Sequence, residues 1–269
     1  KKQQERIFNM NIKEKVAKCL PICGTHINLS DPTVTEMEAQ LGYDFLWVDM
    51  EHTRLSCDQV HAHLLAARAG GTPLFVRVPV NDLTATKQVL EMGIDGIVFP
   101  MAENCTHVRE LLSWTLYPPY GKRGCGPRGA VRYGLDSEAE YYGAGHLNSL
   151  CRFIQIEQKS AAEEAEEIAK LPYLDGCVLG MHDLSGSVGD LGNIFGKQTL
   201  TLAKKSIAAF AKQNKTVGVS TFSTAPKTLK RYHEMGINMI STGADYEYIL
   251  KNAAETLKTI KRLQGGDIQ

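Results

Sequence analysis

A chain of 269 residues with 30 basic and 30 acidic side chains carries no formal net charge, and its length suits one closed α/β barrel of roughly 250 residues better than two average domains. There is no sustained basic stripe with interleaved aromatics and no apolar run near the ~18 residues that span a bilayer, which argues against nucleic acid and membrane as partners. The opening KKQQERIFNMNIKEKVAK lacks the apolar core of a secretory signal, and seven cysteines without short paired spacings suit a reducing compartment, so a cytoplasmic protein with free, mostly buried thiols is expected.

Along the chain, the polar start is expected to be a short helix or a frayed arm. Eight short apolar, β-branched runs then alternate with stretches of helical periodicity: 22–27, 45–50, 74–79, 96–101, 152–157, 176–181, 216–220 and 238–242. That βαβα rhythm predicts an α/β fold, a (β/α)8 TIM barrel, as a single domain over 1–269. After the first run, Asp31 and Pro32 read as N-cap and first helical residue and Gly42 as the terminating glycine, which puts Val34, Met37 and Leu41 on a buried face. The stretch 117–135 (YPPYGKRGCGPRGAVRYGL) is the longest irregular segment, expected to cover the barrel mouth or reach a neighbouring subunit. Its Arg123 and Gly124 either form an anion-binding nest for a distal carboxylate or phosphate of the substrate or pack an interface. The last helix, about 245–264, carries Leu250, Leu257, Ile260 and Leu263 on one apolar stripe. It is expected to pack on its own barrel or to be exchanged with a neighbouring subunit.

Active sites of such barrels form at the C-terminal ends of the strands. Run two ends Trp47-Val48-Asp49-Met50-Glu51-His52, run three ends Phe75-Val76-Arg77, run five ends Gln155-Ile156-Glu157, and run six leads into Gly180-Met181-His182-Asp183. Alternation puts Gln155 and Glu157 on one face, toward the barrel interior. A carboxylate there is costly unless paired or bound to metal. Glu157 and Asp183 therefore either hold a hard divalent cation such as Mg²⁺ or Mn²⁺, completed by water and substrate oxygens, or pair with Arg77 without a metal. The remaining histidines, His61, His63, His107, His146 and His233, are expected at the surface.

Five landmarks, FLWVDMEH (45–52), FVRVP (75–79), YPPYGKRGCG (117–126), QIE (155–157) and DLSGSVGDLGN (183–193), stand in one order and spacing. Together they resemble the metal-dependent (class II) pyruvate aldolases of the HpcH/HpaI aldolase and citrate lyase family, over nearly the whole chain. The resemblance implies a homo-oligomeric barrel, trimer or hexamer, that cleaves 4-hydroxy-2-oxo acids reversibly to pyruvate and an aldehyde. Within that family the chain resembles the 2-dehydro-3-deoxyglucarate and 4-hydroxy-2-oxoheptanedioate aldolases. It makes Glu157 and Asp183 ligands of Mg²⁺, Mn²⁺ or Co²⁺, with Gln155 beside them touching the substrate. Arg77 then supports the keto oxygen of the metal-chelated pyruvate as it becomes an enolate. A short helix from Asp183 offers backbone N–H groups to the carboxylate. His52 is the implied general base, with Asp49 orienting its imidazole.

The chain also departs from that pattern. Met181 and His182 stand where the family has a small Gly-Pro-Ala run, which adds bulk and an ionisable group at the substrate's carboxylate end; His182 is expected to point away or pack. His26 stands near a common first-strand Trp and reshapes the aldehyde side. A Schiff-base aldolase would need a strand lysine, and none of the eight runs contains one. A citrate-lyase-like acyl-CoA lyase and a barrel that binds a keto acid without turnover are the alternative functions.

Overall fold

The apolar runs pair edge to edge in the order in which the chain makes them. A computed structural model describes residues 10–265. In it β1 (Ile22–Ile27), β2 (Phe45–Asp49), β3 (Leu74–Arg77), β4 (Gly96–Phe99), β5 (Cys151–Ile156), β6 (Gly176–Leu179), β7 (Thr216–Thr221) and β8 (Met239–Ala244) form a closed parallel barrel. Alternation sorts their side chains into two layers. Phe45, Trp47, Phe75, Val98, Phe153, Val178 and Met239 fill the lumen, and Leu46, Val48, Val76, Ile97, Ile154, Ile156 and Leu179 face the helices. Stacking of Phe45 on Phe75 at 4.7 Å closes the lumen toward the strand starts, each buried ring contributing about 1.5–3 kcal/mol. One pleat further along, the interior positions become polar: Asp49, Arg77, Gln155 and Glu157.

Strands β2 to β6 each end one or two residues earlier than the apolar runs suggest. The surplus residues leave the ladder at the mouth, where Met181 opens a helix and Met101 adopts a left-handed φ of 50°. The N-terminal arm falls partly outside the described residues; within them, a helix Ile12–Ala17 starts on an Asn11 cap.

Four expectations are corrected. Helix Pro32–Ala39 does begin on Asp31, which caps Thr33, but it buries Thr35, Glu38 and Ala39, whereas Met37 and Leu41 are 58% and 72% exposed. The buried face is set by helix Cys57–Gly70, which bonds Thr35 through His63 at 2.7 Å and brings Gly70 against Ala39. His63 and His146 are accordingly buried rather than surface residues. Of the seven free cysteines only Cys151 and Cys177 are buried, because the others lie on helices, loops or outward-facing positions. The segment 117–135 does not roof its own barrel. It folds back on Ser113 and Leu116 and lays Gly129 on the backbone of Met92, with a 3-10 turn over Gly129–Gly134. Met92 follows helix Leu83–Glu91, whose C-terminal end lies at the opposite end of the barrel from the mouth.

The last helix, Asp245–Leu263, is tied to the barrel only at its root, where Asp245 accepts from the backbone N–H groups of Asn28 and Leu29 at 2.9 and 2.8 Å. From position 249 to 265 every residue is exposed, including Leu250, Leu257, Ile260 and Leu263. The stripe does not pack on its own barrel.

Candidate active site

Four interior side chains from three strands join in one chain of hydrogen bonds. Arg77 Nε and Nη2 donate to the two oxygens of Asp49 at 2.9 and 2.6 Å, a bidentate pair made possible because the strand register sets Asp49 opposite Arg77. Arg77 Nη1 donates to Gln155 Oε1 at 3.0 Å, and Gln155 Nε2 donates to Glu157 Oε2 at 2.8 Å. The second Glu157 oxygen accepts the backbone N–H of Met101. Glu51 Oε2 lies 2.7 Å from Arg77 Nη1 in ion-pair contact, without the geometry of a hydrogen bond. His52, 62% exposed at the rim, is 3.7 Å from the same Glu51 oxygen.

The electrostatics divide the carboxylates into two kinds. Burial alone would raise Asp49, but the hydrogen bonds and charge of Arg77 outweigh it and hold its carboxyl below the ordinary range. Glu157 goes the other way. Its burial, only partly offset by the Met101 N–H and reinforced by the charges of Glu51 and Asp183, pushes it up to about 7. Burial likewise raises Glu51 against the pull of Arg77 and His52. Glu51, Glu157 and Asp183 thus share a pocket with more negative charge than Arg77 neutralises.

Asp183 lies in the first turn of helix Met181–Ser187, which starts two residues before the position expected for it and whose first N–H groups have no side-chain cap. Starting there turns the Met181 side chain into the hydrophobic layer outside the barrel. Its expected place against the substrate is therefore corrected. His182 is exposed. Asp49 is committed to Arg77 rather than to the imidazole of His52; Glu51 is the acid beside that ring. Arg123 and Gly124 are not brought to this cluster within the chain. Arg123 is buried near the far end of helix Leu83–Glu91, 3.3 Å from Glu91 and stacked over Tyr117 at 4.7 Å, with Gly124 nearby beside Lys87.

Two contributors escaped the sequence reading. Met101 acts through its backbone N–H, which leaves no trace in residue type. Gly180 makes room: a Cβ there would collide with Glu157 Oε2 and lie 2.8 Å from Glu157 Cβ. A glycine directly between a strand and an acidic helix start was the available signal for it.

The family model for HpcH/HpaI aldolase/citrate lyase matches residues 23–252. A hydroxypyruvate/pyruvate aldolase of Roseovarius nubinhibens is 27% identical over 88% of this chain and 91% of its own length. A 2-keto-3-deoxy-L-rhamnonate aldolase of Escherichia coli is 29% identical over 87% of this chain and 86% of its own. Among solved structures, an HpcH/HpaI aldolase/citrate lyase family protein of Burkholderia cenocepacia superposes with a TM-score of 0.87 at 26% identity, covering 94% of this chain and 100% of that one. With the family model running from the first strand into the last helix of an eight-stranded barrel, the chain belongs to the HpcH/HpaI aldolase/citrate lyase family.

Proposed function

We propose that this barrel is a divalent-metal-dependent aldolase that splits 4-hydroxy-2-oxo acids into pyruvate and an aldehyde and catalyses the reverse addition. The observation that carries the reading is the buried line Asp49–Arg77–Gln155–Glu157, which ends in a carboxylate held near neutrality beside Asp183.

Among the described residues no group of three or more His, Cys, Asp or Glu gathers around a common point, so a cation here rests on two carboxylates. That donor set suits Mg²⁺, Mn²⁺ or Co²⁺ completed by water and substrate oxygens, and the excess negative charge around Glu157 gives the ion a reason to bind. When bound, it supplies Lewis-acid stabilisation to the keto oxygen of the pyruvate unit. Three of the five N–H groups of Arg77 are taken by Asp49 and Gln155 and the other on Nη1 faces Glu51, which leaves one on Nη2 to meet the same oxygen. The uncapped N–H groups at the start of helix Met181–Ser187 face the substrate carboxylate. His52, steadied by Glu51, takes the proton from the 4-hydroxyl during cleavage and gives it to the methylene carbon of the enolate to release pyruvate, and in addition it carries a methyl proton of pyruvate back to the new hydroxyl. The eight strands contain no lysine, so a Schiff base has no amine to form on.

The test is release of pyruvate from a panel of 4-hydroxy-2-oxo acids by metal-stripped protein, before and after adding Mg²⁺, Mn²⁺ or Co²⁺. Metal-restored release supports the reading. Tight pyruvate binding with no release under any metal overturns it in favour of a keto-acid-binding barrel or an acyl-CoA lyase.

Two further results are expected at this site. Because Glu157 must lose its proton to bind a cation, affinity for Mn²⁺ should fall about tenfold per pH unit below roughly pH 7 and level off above it. Calorimetric titration between about pH 5.5 and 8.5 checks the slope, and a flat profile would remove Glu157 from the ligand set. Gly180→Ala, which drives a methyl group into Glu157, should weaken Mn²⁺ binding about 10- to 100-fold with the fold retained.

A homo-oligomer, trimer or hexamer, belongs to the same proposal. The exposed stripe of helix Asp245–Leu263 needs a cover, and Met37, Leu41 and Leu65 are further large apolar side chains left exposed. Light scattering should give a trimeric or hexameric mass that Leu257→Glu reduces; a monomeric wild type refutes the assembly.

A further inference from the structure

Across the mouth from the acidic residues, strands β1, β7 and β8 carry a second polar group. His26 is 1% exposed, its ring between Trp47 and Phe222 with centroids 5.6 and 5.3 Å away. Nδ1 lies 2.7 Å from the carbonyl oxygen of Gly243, and Nε2 lies 3.0 Å from Ser220 Oγ. A carbonyl oxygen only accepts, so Nδ1 carries the hydrogen. Burial, partly opposed by the Gly243 carbonyl and helped by the charge of Arg77, pushes the imidazole down to about 4. The ring is therefore neutral near pH 7 and its Nε2 is a bare acceptor.

That assignment fixes the hydroxyl of Ser220. Its single hydrogen points at His26, and its lone pairs are what the half-buried oxygen can show to a ligand. The register pairs His26 with Trp47 and Ser220 with Ser241, and both neighbours hold a buried polar atom, Trp47 Nε1 and Ser241 Oγ, without a protein partner. Among the described residues the cation acting on His26 is Arg77, which is already engaged by Asp49 and Glu51.

We propose that Ser220, locked by His26, sets the choice of aldehyde: it accepts a hydrogen bond from a hydroxyl of the aldehyde partner and so selects neutral hydroxyaldehydes over alkyl and carboxylate-bearing ones. The proposal rests on the aldolase reading and deepens it. A hydroxyl supplies the donor that the oriented serine lacks. An alkyl chain leaves the serine lone pairs unmatched, and a carboxylate meets them with more lone pairs and negative charge.

The test is aldol addition of pyruvate, with Mg²⁺ supplied, to glycolaldehyde, to its isostere propanal and to succinic semialdehyde. In the wild type kcat/KM should favour glycolaldehyde over either competitor by about tenfold. Ser220→Ala should bring the glycolaldehyde-to-propanal ratio close to one, and Ser220→Thr, which keeps the hydroxyl, should retain it. His26→Phe frees the serine hydrogen to rotate, so succinic semialdehyde should gain relative to glycolaldehyde, a change of ratio that simple loss of packing would not produce. A wild type without preference, or a Ser220→Ala ratio equal to that of the wild type, overturns the proposal. Exchange of the pyruvate methyl protons with solvent deuterium in the wild type separates the two readings, because it needs no aldehyde. Exchange without aldehyde preference sinks the specificity role alone, and absence of exchange sinks the aldolase reading and this role with it.

Discussion

Arg77→Lys should lower kcat/KM about 100- to 1,000-fold for cleavage of the best 4-hydroxy-2-oxo acid. Arg77 binds Asp49 through two nitrogens and Gln155 through the third, and lies 2.7 Å from Glu51. A lysine ammonium keeps the charge but cannot span those partners and still present a donor to the keto oxygen. Lysine is the informative replacement. Arg77→Ala would leave Asp49 buried without a partner and cost about 3–5 kcal/mol of stability, mixing unfolding with loss of function. If Arg77→Lys keeps activity within about fivefold of the wild type, less than ~1 kcal/mol of barrier, the guanidinium only balances charge.

Glu157→Gln should abolish metal-supported turnover, by about 1,000-fold or more, since it removes one of two carboxylate ligands. Its effect on the metal-free protein carries an independent signature. The carboxyl of Glu157 is raised above its unfolded value, so the folded state holds a proton that the unfolded state releases. The wild-type contribution is therefore greatest below the unfolded pKa and is lost as pH rises through about 7. The neutral amide has no such dependence, so the stability of Glu157→Gln relative to wild type should climb between about pH 5 and 7. Urea unfolding without metal at several pH values reads this trend. Its absolute offset also includes the one hydrogen bond that a single amide oxygen cannot supply to both Met101 and Gln155.

The strand count and the polar strand ends were legible because both rest on periodicity: apolar runs of strand length give the barrel, and alternation turns Gln155 and Glu157 to the same side. What depends on register between strands was not. The resemblance implied that Asp49 orients His52, but the ladder sets Asp49 against Arg77 on the next strand. Periodicity also finds an apolar face without saying what it meets. Met37 and Leu41 lie on such a face, and the helix turned its smaller side inward because Gly70 and His63 approach there. For Arg123, glycine and arginine in a long loop resembled an anion site, yet the loop's position follows from where helix Cys105–Ser113 ends, at the foot of the barrel.

The aromatic packing of Phe45, Phe75 and Phe153 leaves the barrel with a floor and a single door. Arg77 and Gln155 stand just above that floor in one layer with His26 and Ser220 of the alternate strands, and Glu157 lies one pleat nearer the entrance. Both fragments therefore share one mouth, and the keto acid, held by Arg77 and the acidic residues, should be the last to leave. In the cleavage direction pyruvate should inhibit competitively against the aldol substrate and the aldehyde should inhibit noncompetitively, a pattern that a barrel open at both ends would not impose.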